Sequence, residues 1–202
     1  MKKRFLNYAT GLIKEYYPET DNIKMDEYRY SLEAYYITIT KSLVILPLAF
    51  IFGVFKEIII LLIFFNILRE QAHGLHASKS ITCLISSSIM FIGAPLLSKN
   101  IIIPFHIKII LGIIGILLIY KYAPADTIKA PIIKEKNRNK FKFISTVICI
   151  IYTFLYLIIQ NEILSNIIIF SIWIQIFLIH PLIYKLFHLS YDNYKTYLLN
   201  MD

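Results

Sequence analysis

The sequence predicts an all-α polytopic membrane protein, with about six transmembrane helices behind an N-terminal amphipathic helical region. Three observations carry that expectation. Of the 202 residues 57% are apolar and only 17% charged, the apolar residues fall in long runs, and the cations cluster beside those runs. A net charge of +8 would suit nucleic acid on a soluble fold. Cations at the ends of apolar runs follow the positive-inside pattern instead, so the expected partner is the lipid bilayer and no nucleic acid. The two cysteines, Cys83 and Cys149, stand in unlike surroundings and make no disulfide framework.

Residues 1–36 are expected to form amphipathic helices, cytoplasmic or interfacial. Met1 to Arg4 leads into a stretch with neither an apolar core nor a small-residue cleavage site, so the N-terminus is expected to be retained. Phe5, Tyr8, Leu12 and Ile13 share one helical stripe with Lys14 and Glu15 opposite, the pattern of a helix on a membrane surface or against a partner.

Residues 37–184 are expected to be the membrane domain, built on apolar runs at 37–55, 58–68, 81–97, 101–122, 143–160 and 163–184. A helix needs roughly 17 to 25 residues to cross the hydrocarbon, so the second run is short unless it continues through residues 72–75. Joining residues 43–68 into one span would place Lys56 and Glu57 near the bilayer centre, at about 2.5 to 3.5 kcal/mol each. Six spans put every loop lysine and arginine except Lys56 and Lys99 on the side of the termini, whereas five divide them between the two sides. Six spans with both termini cytoplasmic are therefore predicted, and residues 185–202 form a cytoplasmic tail.

The segment 69–83, at the cytoplasmic membrane edge, gathers Arg69, Glu70, Gln71, His73, Gly74, His76 and Cys83. A thiol beside an imidazole ionises as a thiolate–imidazolium pair and supplies a nucleophile at neutral pH, which makes Cys83 and His76 the natural pair. On one continuous helix seven residues would hold them roughly 10.5 Å apart. Contact therefore requires a non-helical stretch before Cys83, and Gly74 is where the chain can bend. A helix capped by Ser78 or Ser80 would set Cys83 in its first turn, where free N–H groups favour a thiolate and an oxyanion.

The same residues admit other readings. Cys83 can be a small buried apolar side chain, His76 an interfacial polar tip, and Arg69 with Glu70 a neutralised pair. Glu70, His73, His76 and Cys83 could together ligate a metal, but Glu-x-x-His-x-x-His matches no usual zinc pattern, and no metal or cofactor is expected. Cys149 sits among apolar neighbours and reads as structural. His106, Lys108, His180 and His188 read as interfacial.

Residues 121–142 form a second polar constellation, with Asp126 and Thr127 between Pro124 and Pro131 and a cationic run from Lys134 to Lys142. On the predicted topology this Pro-rich, basic loop faces the same side as Cys83. Asp126 is placed to orient His76 or, with Thr127, to bind substrate backbone; a helix-ending turn capped by Asp126 is the alternative. The cationic run obeys the positive-inside rule and suits anionic lipid or an acidic peptide.

Arg69, then Gly74-Leu-His76, then Cys83 seven positions on, then Ala123-Pro-Ala-Asp-Thr127 and Pro131, in a six-span chain of this length, resemble the accessory gene regulator protein B family. The resemblance implies a membrane-embedded cysteine endopeptidase of a Gram-positive cell membrane, acting on the propeptide of a quorum-sensing autoinducing peptide. It makes Cys83 the nucleophile and His76 the general base, with Arg69 and Gly74 supporting the site and Glu70, Gln71, Asp126 and Thr127 supporting it or binding substrate. His73 stands where the family more often has glycine, and Ala130 where it often has a polar residue or lysine. The implied reaction removes the propeptide's C-terminal tail through an acyl-enzyme thioester and closes a thiolactone or lactone ring. The implied substrate has an amphipathic leader and an acidic tail. A homodimer is expected because short, charged spans gain from burial against a second copy. A non-enzymatic transporter or peptide-export partner, and an intramembrane metalloprotein, are the other functions that these residues leave open.

Overall fold

A single glycine decides where the first long apolar helix stops. In the computed structural model, which describes residues 2–75, 80–127 and 131–195, α1 (Lys2–Tyr16) is followed by α2 (Asn22–Ile51), which ends at Gly53 with φ +65°. Gly53 N–H donates to Phe50 O at 3.1 Å and Val54 N–H to Ala49 O at 2.9 Å. This paired closure of the last turn needs a left-handed residue, which glycine supplies without a Cβ clash. The chain then turns into α3 (Phe55–Ala72), so residues 43–68 are two helices and Lys56 and Glu57 lie in the first turn of the second. Glu57 there pairs with Lys99 at 2.9 Å.

The chain divides into two compact units, Met1–Leu48 and Ala49–Asp202. In the first, α1 meets α2 through the Lys2–Glu33 ion pair at 2.8 Å, Arg29 Nη2 donating to Asn7 Oδ1 at 3.2 Å, and the Phe5 and Tyr36 rings with centroids 5.3 Å apart. Leu6 is buried, while Phe5, Tyr8 and Leu12 of the expected stripe are exposed. No break separates residues 36 and 37, because α2 runs continuously from Asn22 through that expected boundary.

The second unit continues through α4 (Ser80–Asn100), α5 (Phe105–Tyr122), α6 (Glu135–Ile158), α7 (Glu162–Ile179) and α8 (Pro181–Leu186), with no strand among the described residues. Pro104 precedes α5, and Pro181 opens α8 at the first-turn position where its missing N–H is harmless. The run expected at 163–184 is therefore divided at His180, whose Nδ1 accepts from Leu182 N–H at 3.3 Å. The basic stretch expected as loop is half helix. Residues 135–142 contain good helix formers and neither glycine nor proline, and they make the first two turns of α6.

α7 is the hub and packs against α3, α4, α5 and α6. It buries isoleucines on every side, with Ser165, Asn166, Ser171 and Gln175 fully buried among them. Without a hydrophobic drive between helices in lipid, packing and close approach hold such a bundle together. At Gly112 a Cβ would lie 2.5 Å from Thr153 Cγ2 and against the Tyr156 hydroxyl, so α5 and α6 approach too closely there for any larger residue. Outward faces carry exposed Ile113, Leu117, Ile151, Phe154 and Ile158. So much exposed apolar surface suits lipid rather than water. Four described helices, at Lys24–Ile51, Phe105–Tyr122, Glu135–Ile158 and Glu162–Ile179, are long and apolar enough to cross a membrane, and in the second unit α3 and α4 pack on α7. The chain is an all-α membrane protein.

Candidate active site

The site region is built at the end of the second unit where α3, α5 and α7 finish and α4 and α6 begin. α3 ends at Ala72, and the chain leaves it through two positive-φ residues, His73 taking φ 55° and ψ −140° and Gly74 φ +118°. Arg69, one turn back, reaches over the helix end. Its Nη1 donates to His73 O at 2.7 Å, and its Nη2 donates to Gly74 O at 3.0 Å and Leu75 O at 2.8 Å. A cation at a helix C-terminus is favoured by the dipole, and the planar fork of guanidinium donors spans three carbonyls, which an ammonium point charge cannot do.

Three other elements hold the same segment. Gln175 Nε2 on α7 donates to His73 O at 2.6 Å, Leu75 N–H donates to Leu178 O at 2.9 Å, and Ala125 N–H donates to Ala72 O at 3.0 Å beside a parallel bridge between His73 and Ala125. Residues 73–75 are thus fixed by α3, α7 and the proline loop together. At Gly74 a Cβ would meet Arg69 Nη1 at 2.6 Å and Leu178 O at 2.8 Å, so only glycine fits. The His73 ring packs on Phe141 with centroids 4.8 Å apart. Burial first, and then the Arg69 guanidinium, hold its pKa below the ordinary histidine value, which leaves it neutral at pH 7.

His76 lies outside the described residues, as does the side chain of Cys83. α4 begins at Ser80, so the backbone of Cys83 stands in its first turn. Only residues 76–79 join the clamped segment to that helix. Glu70 is exposed and Gln71 half-buried on the last turn of α3. Among the described residues no three His, Cys, Asp or Glu side chains are grouped to hold a metal ion.

Asp126 is buried in the proline loop, which opens with a cis Ala123–Pro124 bond. Its Oδ1 accepts from Asn193 N–H at 3.0 Å and its Oδ2 from Tyr194 N–H at 2.9 Å, while Tyr184 Oη donates to its carbonyl at 3.1 Å. Burial pushes the Tyr184 phenol above its usual range, which keeps it a donor. Arg138 Nη1 lies 3.8 Å from Asp126 Oδ2, and its guanidinium stacks 3.3 Å from the Tyr194 ring centroid. Asp126 therefore joins the proline loop, the start of α6 and residues 190–195. The last of these, within the expected tail at 185–202, fold back as a wall of this region. Thr127 is half-buried beside Asp126.

Sequence reasoning missed Gln175, Arg138, Tyr184 and Asn193. An amide inside an otherwise apolar run was a usable signal for Gln175, because intramembrane polar groups are costly unless they hold something. Nothing local marked Asn193, whose partner is 67 residues away.

The protein-family model described as Accessory gene regulator B matches residues 7–179. A putative AgrB-like protein of Clostridium acetobutylicum is 33% identical over 177 residues, 88% of this chain and 85% of the relative. A putative AgrB-like protein of Listeria monocytogenes is 32% identical over 84% of this chain and 83% of its own length. The accessory gene regulator protein B of Staphylococcus aureus is 36% identical over 66% of this chain and 70% of its own length. No solved structure matches.

Proposed function

Because the chain belongs to the accessory gene regulator B family, we propose that it is a quorum-sensing cysteine endopeptidase of the cell membrane, which removes the C-terminal tail of a propeptide and promotes cyclisation of the remainder. The observation that carries this reading is the clamped break between α3 and α4. A continuous helix would separate residues 76 and 83 by about 10.5 Å. Here α3 ends at Ala72, residues 73–75 are held in a non-helical form, and a new helix starts at Ser80.

In this reading the Cys83 thiolate attacks the scissile carbonyl carbon, and the first N–H groups of α4 favour the oxyanion. The carbon–nitrogen bond breaks, and His76 gives its proton to the departing amine as an acyl-enzyme thioester forms. A cysteine thiol or serine hydroxyl inside the peptide gives its proton to the now neutral His76 and attacks the thioester. The ring closes and the Cys83 thiolate is expelled. A site at the apolar edge helps by keeping competing water out and the peptide's ends together. Arg69 and Gly74 serve as positioning residues that fix the exit from α3. Asp126 supports the region through its hold on residues 193 and 194. The propeptide with its amphipathic leader and acidic tail, the bilayer and a second copy of the chain are the partners.

The test is to incubate the protein in lipid nanodiscs with a propeptide bearing an amphipathic leader, a central Cys or Ser and an acidic tail, then weigh the products. Loss of both cleavage and ring product in Cys83→Ala and in His76→Ala, with the helical spectrum intact, is expected. Normal cleavage by either variant refutes the proposal.

A further inference from the structure

A groove of about 570 Å³ opens where α5 ends and α6 begins, walled on its third side by residues 191–194. Lys121, Arg138 and Lys142 supply its positive charge, and Tyr122, Tyr191 and Tyr194 its rings. Two acids also line it. Asp192 is neutralised by Lys195 at 2.6 Å and Arg138 has Asp126 Oδ2 at 3.8 Å, which leaves Glu135 against Lys121 and Lys142. Arg138 contributes a second observation. Its Nη1 is buried with no hydrogen-bond partner, its counter-charge being Asp126 Oδ2 at 3.8 Å, so the pairing of this half-buried guanidinium is incomplete.

The position of the groove says what that anion belongs to. Lys142 Nζ lies 4.3 Å from the Tyr120 ring centroid and Lys121 Nζ 5.1 Å from that of Tyr122, the lysine-and-tyrosine girdle that marks a headgroup layer. From there, exposed Leu117 and Ile113 continue along α5, and exposed Phe143, Ile151 and Phe154 continue along α6. A ligand with a negative head in the groove and apolar chains on those two stripes meets both chemistries at once; a polar peptide meets only the first.

The geometry points to a binding site for one anionic phospholipid, its phosphate on Lys121, Arg138 and Lys142 and its acyl chains along α5 and α6. Basic recesses between membrane helices at the cytoplasmic edge take acidic headgroups in this way. The site is independent of the peptidase reading. It adjoins that region all the same, since Arg138 also touches Asp126.

Native mass spectrometry of the full-length protein in a neutral detergent, titrated with dioleoylphosphatidylglycerol or dioleoylphosphatidylcholine, tests it. Wild type should keep one phosphatidylglycerol and shed phosphatidylcholine. The double variant Lys121→Gln/Lys142→Gln should weaken phosphatidylglycerol binding about 25-fold, at roughly fivefold per cation near the headgroup. The double variant Lys136→Gln/Lys140→Gln removes equal charge from exposed positions outside the groove and should change binding less than about twofold. Equal retention of both lipids overturns the proposal, as does equal loss in both doubles. Saturation by inorganic phosphate at the lipid's own affinity would make this a small-anion site, and stoichiometric displacement of the lipid by a Glu-rich heptapeptide would make it a peptide site; either outcome also overturns it.

Discussion

Replacing Gly74 with alanine should release the segment that precedes His76 while leaving the helices folded. The added Cβ would lie 2.6 Å from Arg69 Nη1, 2.8 Å from Leu178 O and 3.0 Å from Ile179 Cγ2, where a carbon needs about 3.3 Å from an oxygen. A φ of +118° by itself costs a residue with a Cβ about 1 to 3 kcal/mol. Leu178 O belongs to α7 and cannot retreat, so residue 74 must move. That breaks the Leu75–Leu178 bond and at least one bond from Arg69, which is charge-assisted and contributes about 1.5 to 3 kcal/mol. The local loss is then about 3 to 6 kcal/mol, enough to raise hydrogen exchange at the Leu75 amide more than about 100-fold. Exchange mass spectrometry in nanodiscs reads this directly, with amides in the middle of α5 as an internal control. Leu75 exchange within threefold of wild type would refute the clamp, whatever the variant does to peptide cleavage.

The other predictions concern the neighbours of that glycine. Arg69→Lys keeps the charge but lacks the fork, so it should lose most of the three carbonyl bonds and show Leu75 exchange at least tenfold faster; wild-type protection would mean that charge alone holds the segment. Asp126→Asn leaves one acceptor oxygen for two backbone donors and should strip protection from Tyr194 or Asn193 by about 1 to 3 kcal/mol, and unchanged exchange at both amides would remove Asp126 as the anchor. Because burial keeps His73 neutral, the unfolded segment takes up a proton near pH 6.5 while the folded one does not. Stability of residues 73–75 should therefore fall as pH drops through that value and level off below the folded pKa. His73→Gln should abolish this dependence, and a wild-type profile that is flat after correction for intrinsic exchange contradicts the burial.

The apolar runs were legible because lipid enforces them: each span must be helical, and its length is set by hydrocarbon thickness. The bend at Gly74 was legible for a related reason, since glycine is the residue that tolerates such backbone, whereas the turn at Gly53 fell inside the run expected at 37–55. Helix ends were less so. α2 passes through the expected boundary at residue 37, and α6 starts eight residues before its apolar run, because charged helix formers extend a span beyond the membrane without changing its hydropathy signal. The residues that brace residues 73–75 were the least legible. Gln175 acts across 102 residues of sequence and Asn193 across 67, and no local period records a partner at that distance. Asp126 was visible as a candidate, but its partners at residues 193 and 194 were not.

The dependence of residues 73–75 on Gln175 and Leu178 also sets an order of events at the ribosome. When α3 and α4 enter the translocon, residues 73–75 have only Arg69 to hold them; Ala125 reaches them first, and Gln175 and Leu178 follow after roughly a hundred further residues have been synthesised. Asp126 waits longer, until Asn193 and Tyr194 emerge. A nascent chain halted before α7 would carry every residue of the 69–83 motif and still lack the frame that holds residues 73–75, so this region matures only after α7 has been made.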